Sequence, residues 1–180
     1  KKLADLAPTL IITGNHDCNL NNTYRMDALS PIVKALNHQN IHYLKDNGIY
    51  CISKVHFNVL SVFDKPVDYI KADDFDGDYK IALHHGSVHN ASGDIHKPQF
   101  LDDEKTMAYA GSLIQQNHGE GLTHGIMVWD LESKKSEFVE IVNDYGYYTF
   151  HIDEGKITNT NSKVPLRPRL RFKVKDTDSG

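Results

Sequence analysis

Cysteine is nearly absent: Cys18 and Cys51 are the two in the chain. Two thiols cannot build the framework that staples small secreted domains, so a reducing, cytosolic compartment is expected. Long apolar runs are also lacking. No stretch approaches the ~20 residues a transmembrane helix needs, so no membrane-spanning helix is expected among these residues. An excess of positive charge is missing as well. Twenty Lys and Arg stand against 24 Asp and Glu, for a formal net charge of -4. Any contact with a polyanion must therefore come from a local basic patch rather than from bulk charge. No secretory signal is visible, although Lys1 is not a natural start. Internal repeats are absent. Apolar and charged contents are ordinary, and 180 residues suffice for one domain with a core.

Histidine, by contrast, is abundant at 11 residues. Several stand at the ends of apolar runs, where ligands belong. Lys1 to Leu6 reads as the end of a helix. Thr9 to Ile12 is a short apolar run, read as a buried strand. It stops at the turn-rich Thr13-Gly14-Asn15-His16-Asp17. Ser30-Pro31 opens a helix reaching Leu36, with Ser30 as N-cap and Pro31 at the first helical position. Ile41 to Leu44, Ile49 to Ile52 and Val55 to Phe63 are rich in β-branched and aromatic residues. The stretch from Asp64 to Asp78 is acidic and loop-like. Tyr79 to Leu83 is another strand, running into His84-His85-Gly86. Met107 to Ala110, Gly125 to Leu131, Glu137 to Val142 and Tyr147 to Ile152 complete the strands. From Thr158 onward, Lys163, Arg167, Arg169, Arg171, Lys173 and Lys175 alternate with apolar residues. This tail reads as a linker entering the first strand of a second domain. One segment is too short. Only Gly86 to Ser92 separate His85 from the loop opening at Gly93, whereas a parallel return crossover needs roughly a dozen residues. Residues missing between about Gly86 and Gly93 are expected.

Three loops carry ligand chemistry. In the first, Gly14 lets the backbone turn tightly. The Asn15 amide oxygen is a neutral hard ligand suited to Mn²⁺, Fe²⁺ or Mg²⁺. His16 can pass a proton to a phosphate leaving oxygen. Asp17 can hold that imidazole in one tautomer. Taken alone, the loop reads equally well as a polar turn. In the second, a histidine at the carboxyl end of a buried strand faces the crevice where ligands bind. Adjacent strand residues face opposite sides, so only one of the pair can do so. His85, beside the glycine turn, is favoured over His84. In the third, Gly93-Asp94-Ile95-His96-Lys97, Asp94 and His96 project to one side at two-residue spacing. Alone it is a polar loop. Ala108 to Glu120 follows a strand with small residues. Its Ser112 and Gln115 are candidate substrate contacts, as is Arg169 in the basic tail. His118 reads as structural or substrate-facing rather than as a ligand, His124 as structural, and His38, His42, His56, His89 and His151 as surface residues.

The order of these pieces resembles the calcineurin-like metallophosphoesterases. Gly111-Ser112-Leu113, Gly119-Glu120 and Gly125-Ile126-Met127-Val128-Trp129-Asp130 narrow the resemblance to the SbcD-type DNA-repair nucleases, T-even-like phage recombination endonuclease subunits among them. It spans nearly the whole chain. Pro165 to Arg171 also resembles the passage into that family's capping domain. The resemblance implies an α/β fold: a two-sheet β-sandwich flanked by helices over residues 1–157, with residues 158–180 a linker and the start of a cap. It implies two Mn²⁺-class ions and hydrolysis of DNA phosphodiesters. Asn15 and His85 would hold one ion and His96 the other. His16 would be the catalytic histidine and Asp17 its orienting partner. Asp94 stands where most members carry histidine, and an anionic oxygen still suits a hard ion. The implied partners are DNA, an SMC-like coiled-coil ABC ATPase of the SbcC type, and a second copy packed through helices near the Gly14 loop. The implied compartment is the cytoplasm of a bacterium or phage-infected cell.

The family's Asp-x-His and bridging Gly-Asp motifs would precede Lys1. Without the bridging aspartate these 180 residues should bind metal weakly and catalyse poorly. Two other readings stand beside this one. A phosphatase or phosphodiesterase of another substrate class would use the same loops. A non-catalytic repair scaffold would use none of them for chemistry.

Overall fold

A computed structural model describes residues 1–22, 24–86, 97–159 and 163–175. The chain divides into two compact units, Lys1–Ser92 and Gly93–Gly180.

In the first unit β1 (Thr9–Ile12) pairs in parallel with β2 (Ile41–Leu44), Thr9 facing Ile41 and Ile12 facing Leu44. The crossover between them contains helix α1 (Leu29–Leu36). That helix starts one residue before Ser30, and its cap comes from further upstream. The Asp27 carboxylate accepts the Ser30 amide at 2.6 Å and the Ser30 hydroxyl at 2.7 Å, so Ser30 is the capped residue rather than the cap. At the other end Asn37 takes the left-handed conformation, and its N–H donates to Val33 O. β3 (Gly48–Ile52) and β4 (Val55–Leu60) form a hairpin, and β5 (Tyr79–His84) adds to β4 in parallel. Lys1 to Ala7 form successive turns rather than the expected helix end, with Ala7 N–H donating to Leu3 O.

In the second unit β6 (Gln99–Phe100) pairs with β7 (Ala108–Tyr109). β8 (Gly125–Asp130) pairs with β9 (Lys135–Glu140). β10 (Tyr145–Asp153) lies between the short β11 (Lys156–Ile157) and β12 (Arg167–Val174). β12 runs parallel to β10 over eight register pairs, from Tyr145 opposite Arg167 to Ile152 opposite Val174.

The expected α/β sandwich with flanking helices is not what the chain forms. Strand accounts for about 39% and helix for about 8% of the structure. The described residues hold one α-helix and otherwise only the single 3₁₀ turns Pro66–Asp68 and Ala72–Asp74. The reason lies in the connections. The crossover from β4 to β5 carries Pro66, Gly77 and the acids Asp64, Asp68, Asp73, Asp74, Asp76 and Asp78. Such a segment has neither helix propensity nor an apolar stripe.

The core is correspondingly thin. Ala4, Leu44 and Val59 are the buried apolar residues of the first unit and Tyr148 that of the second, among the described residues. Of the polar groups buried with them, Ser61 Oγ donates to Lys45 O at 2.7 Å and Asn58 Nδ2 to Ile70 O at 2.7 Å, while Asn58 Oδ1 is buried without a partner among the described residues.

The β3–β4 turn is strained. Ser53 and Lys54 hold φ at 51° and 68°, the primed-turn geometry that asparagine and glycine adopt at least cost. The double change Ser53→Asn, Lys54→Gly should therefore stabilise the chain by about 1 kcal/mol. Urea denaturation measures it; an unchanged or lower midpoint would show that the turn carries no strain.

Candidate metal centre

β1 delivers the chain to the Gly14 loop, and the loop closes on itself. Asp17 Oδ2 accepts the Gly14 N–H at 2.8 Å, and Asp17 N–H donates to Gly14 O at 3.1 Å. Asn15 and His16 stand exposed at the crest. Behind them Thr13 is 3% exposed and shares a 2.7 Å hydrogen bond with the Tyr43 hydroxyl of β2.

The far end of the loop is tied down twice. Arg25 grips Asp64 through two bonds of 2.8 and 3.0 Å and reaches Asp46 at 3.0 Å, while its guanidinium lies 4.9 Å from the Phe63 ring centre. Asp27, whose side chain is fully buried, pairs with Lys45 Nζ at 2.9 Å. Burial alone would raise the Asp27 carboxyl, but the bonds from Ser30, Lys45 and Tyr43 outweigh it and hold the group far below the usual carboxylate range. Burial, opposed by the Thr13 bond and aided by Asp27, pushes the Tyr43 phenol up to about 12. The Arg25 hydrogen bond holds Asp64 low.

β5 delivers His84 and His85 to the same place. His84 Nδ1 lies 3.1 Å from Leu60 O, and its ring stands edge-on to Tyr69. It is occupied by its own sheet. His85 points the other way, and its Nε2 meets Asn15 Oδ1 at 2.9 Å across 70 residues of sequence. Gly14 makes this approach possible. A Cβ there would stand 3.1 Å from both Asp17 Oδ2 and His85 Cε1.

Asn15 and His85 thus come together, and His16 and Asp17 share their loop. The Asp17 carboxylate braces the turn by accepting the Gly14 N–H, and the Asp17 carbonyl accepts the Ala28 N–H at 2.8 Å. Asp94 and His96 lie outside the described residues, as do residues 87–93 of the stretch expected to have lost residues. No three His, Cys, Asp or Glu residues gather in a metal-holding group among the described ones. The Asn15 and His85 donors suit a borderline divalent ion, but two neutral donors are fewer than such an ion takes. Both cysteines are free thiols, and no described helix is long and apolar enough to cross a membrane.

In the second unit Gln115 is 7% exposed, and its amide is engaged at both ends, by Glu120 O at 2.9 Å and by Tyr147 N–H at 2.6 Å. It braces the loop against β10 instead of facing outward. Ser112 Oγ lies 3.2 Å from Nδ1 of His124, which is 3% exposed and also meets Gly121 O through Nε2 at 3.0 Å. Arg169 is exposed on β12, its guanidinium over the Tyr147 ring. The anchors Arg25 and Asp27 escaped the sequence reading. Their signal, a lone arginine and an aspartate three residues before a serine, is too common to single out.

No protein-family model matches the chain, and no solved structure matches it. The chain is similar to the uncharacterized protein R555 of Acanthamoeba polyphaga mimivirus, at 40% identity over 215 residues, covering 99% of this chain and 16% of that protein. It therefore spans less than a fifth of that relative's length. The match runs over 215 residues against a chain of 180, so at least 35 positions of it have no counterpart here.

Two outcomes test this geometry. Gly14→Ala should push His85 and Asp17 apart by a few tenths of an ångström and break the Asn15–His85 bond. The His85 imidazole resonances in an NMR spectrum should shift, while unchanged resonances would mean that the loop absorbs the Cβ. Asp27→Ala should cost about 2–3 kcal/mol, because it leaves Lys45 unpaired and the helix uncapped. The native carboxyls of Asp27 and Asp64 titrate below their unfolded value of about 3.9. Their stabilisation is therefore full above that pH and is lost as pH falls through the depressed native values. Asp27→Asn should flatten the acid limb of a stability–pH curve; an unaltered limb would show that Asp27 does not contribute.

Proposed function

We propose that the chain supplies part of the metal-binding and proton-transfer machinery of a divalent-metal-dependent DNA phosphodiesterase, a nuclease subunit of a recombination and repair complex. The observation that carries this reading is the 2.9 Å meeting of Asn15 Oδ1 and His85 Nε2 from loops that end two different strands. Such a pair, an amide oxygen beside an imidazole nitrogen at strand ends, supplies two donors of the kinds that Mn²⁺ or Fe²⁺ takes. Asp94 and His96 are the proposed remaining ligands from this chain. When bound, the ions would polarise the phosphate and lower the pKa of a water.

The chain's own residues do the rest. Asn15 and His85 set the position of the phosphate through what they hold. His16, exposed beside Asn15, would donate a proton to the leaving oxygen. Asp17 keeps the loop closed through Gly14, so that His16 presents from a fixed turn. Arg25 and Asp27 keep the segment that returns from the loop in place. The same reading assigns a coiled-coil ABC ATPase of the SbcC type as partner and a second copy as dimer mate. Exposed apolar residues around the Gly14 loop support the latter: Ile32 is 54% exposed on α1, and Met26 is 65% exposed just before it.

Two measurements test the proposal. Mn²⁺ titration calorimetry on the chain should show binding that His85→Ala weakens at least ~10-fold; identical binding by the variant would remove His85 from the ligand set. In the complete protein, His16→Ala should lower Mn²⁺-dependent cutting of DNA by roughly 10²–10⁴-fold while leaving metal affinity unchanged. Full cutting by that variant would end the catalytic role of His16. An absence of cutting by the unmodified protein would favour a non-catalytic scaffold.

A further inference from the structure

Three of the four arginines of the chain, Arg167, Arg169 and Arg171, fall on one strand. With Lys173 and Lys175 they make five cations in residues 167–175, a stretch with no acid, in a chain whose net charge is -4. All five are exposed. Alternation on a strand puts them on one face, repeating at about 6.6–6.8 Å. The parallel register then sets four of them against residues of β10: Tyr145, Tyr147, Thr149 and His151 stand beside Arg167, Arg169, Arg171 and Lys173.

These contacts hold the cations flat. The Arg167 guanidinium lies 5.3 Å from the Tyr145 ring centre and donates to its hydroxyl at 2.6 Å. Arg169 repeats the arrangement on Tyr147, at 5.4 Å and 2.9 Å. Arg171 Nε donates to Thr149 Oγ1 at 3.1 Å. A guanidinium has five N–H donors, so each retains a free fork suited to phosphate oxygens. Among the described residues, Lys175 is the one of the five with an acid partner, Asp153 at 3.1 Å. Tyr145, 62% exposed, offers ring surface beside the charge.

We propose that this face of β10 and β12 binds the backbone of single-stranded nucleic acid, with Arg167, Arg169, Arg171 and Lys173 as successive phosphate contacts. An acidic peptide would satisfy the charge but has no use for the aromatic surface. Nucleic acid uses both, the cations for phosphates and the rings for bases, without regard to sequence. As the substrate-holding surface of the phosphodiesterase proposed above, it rests on that reading; as a nucleic-acid surface, it stands on the strand alone.

The test is fluorescence anisotropy with a labelled oligothymidylate and the whole chain, with EDTA present throughout so that metal ligation cannot contribute. Affinity should fall with salt. The triple variant Arg167→Gln, Arg169→Gln, Arg171→Gln should lose about 2 from the slope of log affinity against log salt, at about 0.7 for each contact removed. If the triple variant unfolds, by circular dichroism, Arg169→Gln alone should lose about 0.7. Tyr147→Leu, which keeps every charge, should weaken binding several-fold. EDTA removes any metal from the oligonucleotide titration, so a failed metal titration and a failed oligonucleotide titration remain separate results. The proposal is overturned if the arginine variants keep the full slope, if the chain does not bind the oligonucleotide at low salt, or if polyglutamate displaces the oligonucleotide as well as unlabelled oligothymidylate does.

Discussion

A buried carboxylate holds the Gly14 loop where it is. Asp27 has no exposed side-chain surface, and its charge serves three groups at once: Ser30 in the first turn of α1, Lys45 just past β2, and the Tyr43 phenol within β2. The parallel β1–β2 pair brings those elements near one another, but backbone pairing alone would leave the long crossover free. With Asp27 in place the crossover returns past its own start: Cys18 bridges Asp27, and Ala28 N–H donates to Asp17 O at 2.8 Å. The loop that carries Asn15 and His16 is thus clamped at both ends. A buried charge of this kind contributes little net stability, because desolvation cancels much of the attraction. What it contributes here is a single position for the loop, which Arg25 reinforces from the other side through Asp64 and Phe63.

The strands were legible because their signal is local. Thr9–Ile12, Ile41–Leu44 and Val55–Leu60 are runs of β-branched and aromatic residues, and those properties act within a few positions. The strand ends were less so: Val55 to Phe63 stops at Leu60 because Ser61 turns its hydroxyl to Lys45 O, a contact 16 residues away. The cap of α1 was misplaced for a similar reason. Ser30 before Pro31 is a plausible start, but the side chain that reaches the helix amides belongs to Asp27. The helix-flanked sandwich was never in the pattern of residues. It came from a resemblance of loops, and loops do not encode what packs behind them. The acidic, glycine- and proline-punctuated segment before β5 already argued against a helix there.

The candidate site shows the same division. Preferring His85 to His84 rested on the alternation of a strand and on the glycine turn beside His85; in the structure the two rings have different partners, Leu60 O for His84 and Asn15 for His85. Gln115 could not be placed by such reasoning. A glutamine in a glycine- and serine-containing loop looks available, and only the fold shows its amide closed between Glu120 O and Tyr147 N–H. The basic tail was visible as alternation, but its partner was not. That Arg167 and Arg169 lie on Tyr145 and Tyr147 depends on β12 pairing with β10 in parallel and in that register. A one-residue slip would turn every arginine to the opposite face.

That register has a consequence for how the cations behave. A free arginine carries about 2 kcal/mol of rotamer entropy, much of which it loses on binding an anion. Arg167 and Arg169 have lost part of that freedom already, because a ring and a hydroxyl fix each guanidinium before any ligand arrives. Preordering of this kind favours a polyanion that meets several sites in succession, since the cost of ordering is not repeated at each one. It does not favour a single small anion to the same degree. The tyrosines of β10 therefore do more than fill space beside β12: they convert a line of exposed charges into a surface with a direction, along which phosphates can follow the strand.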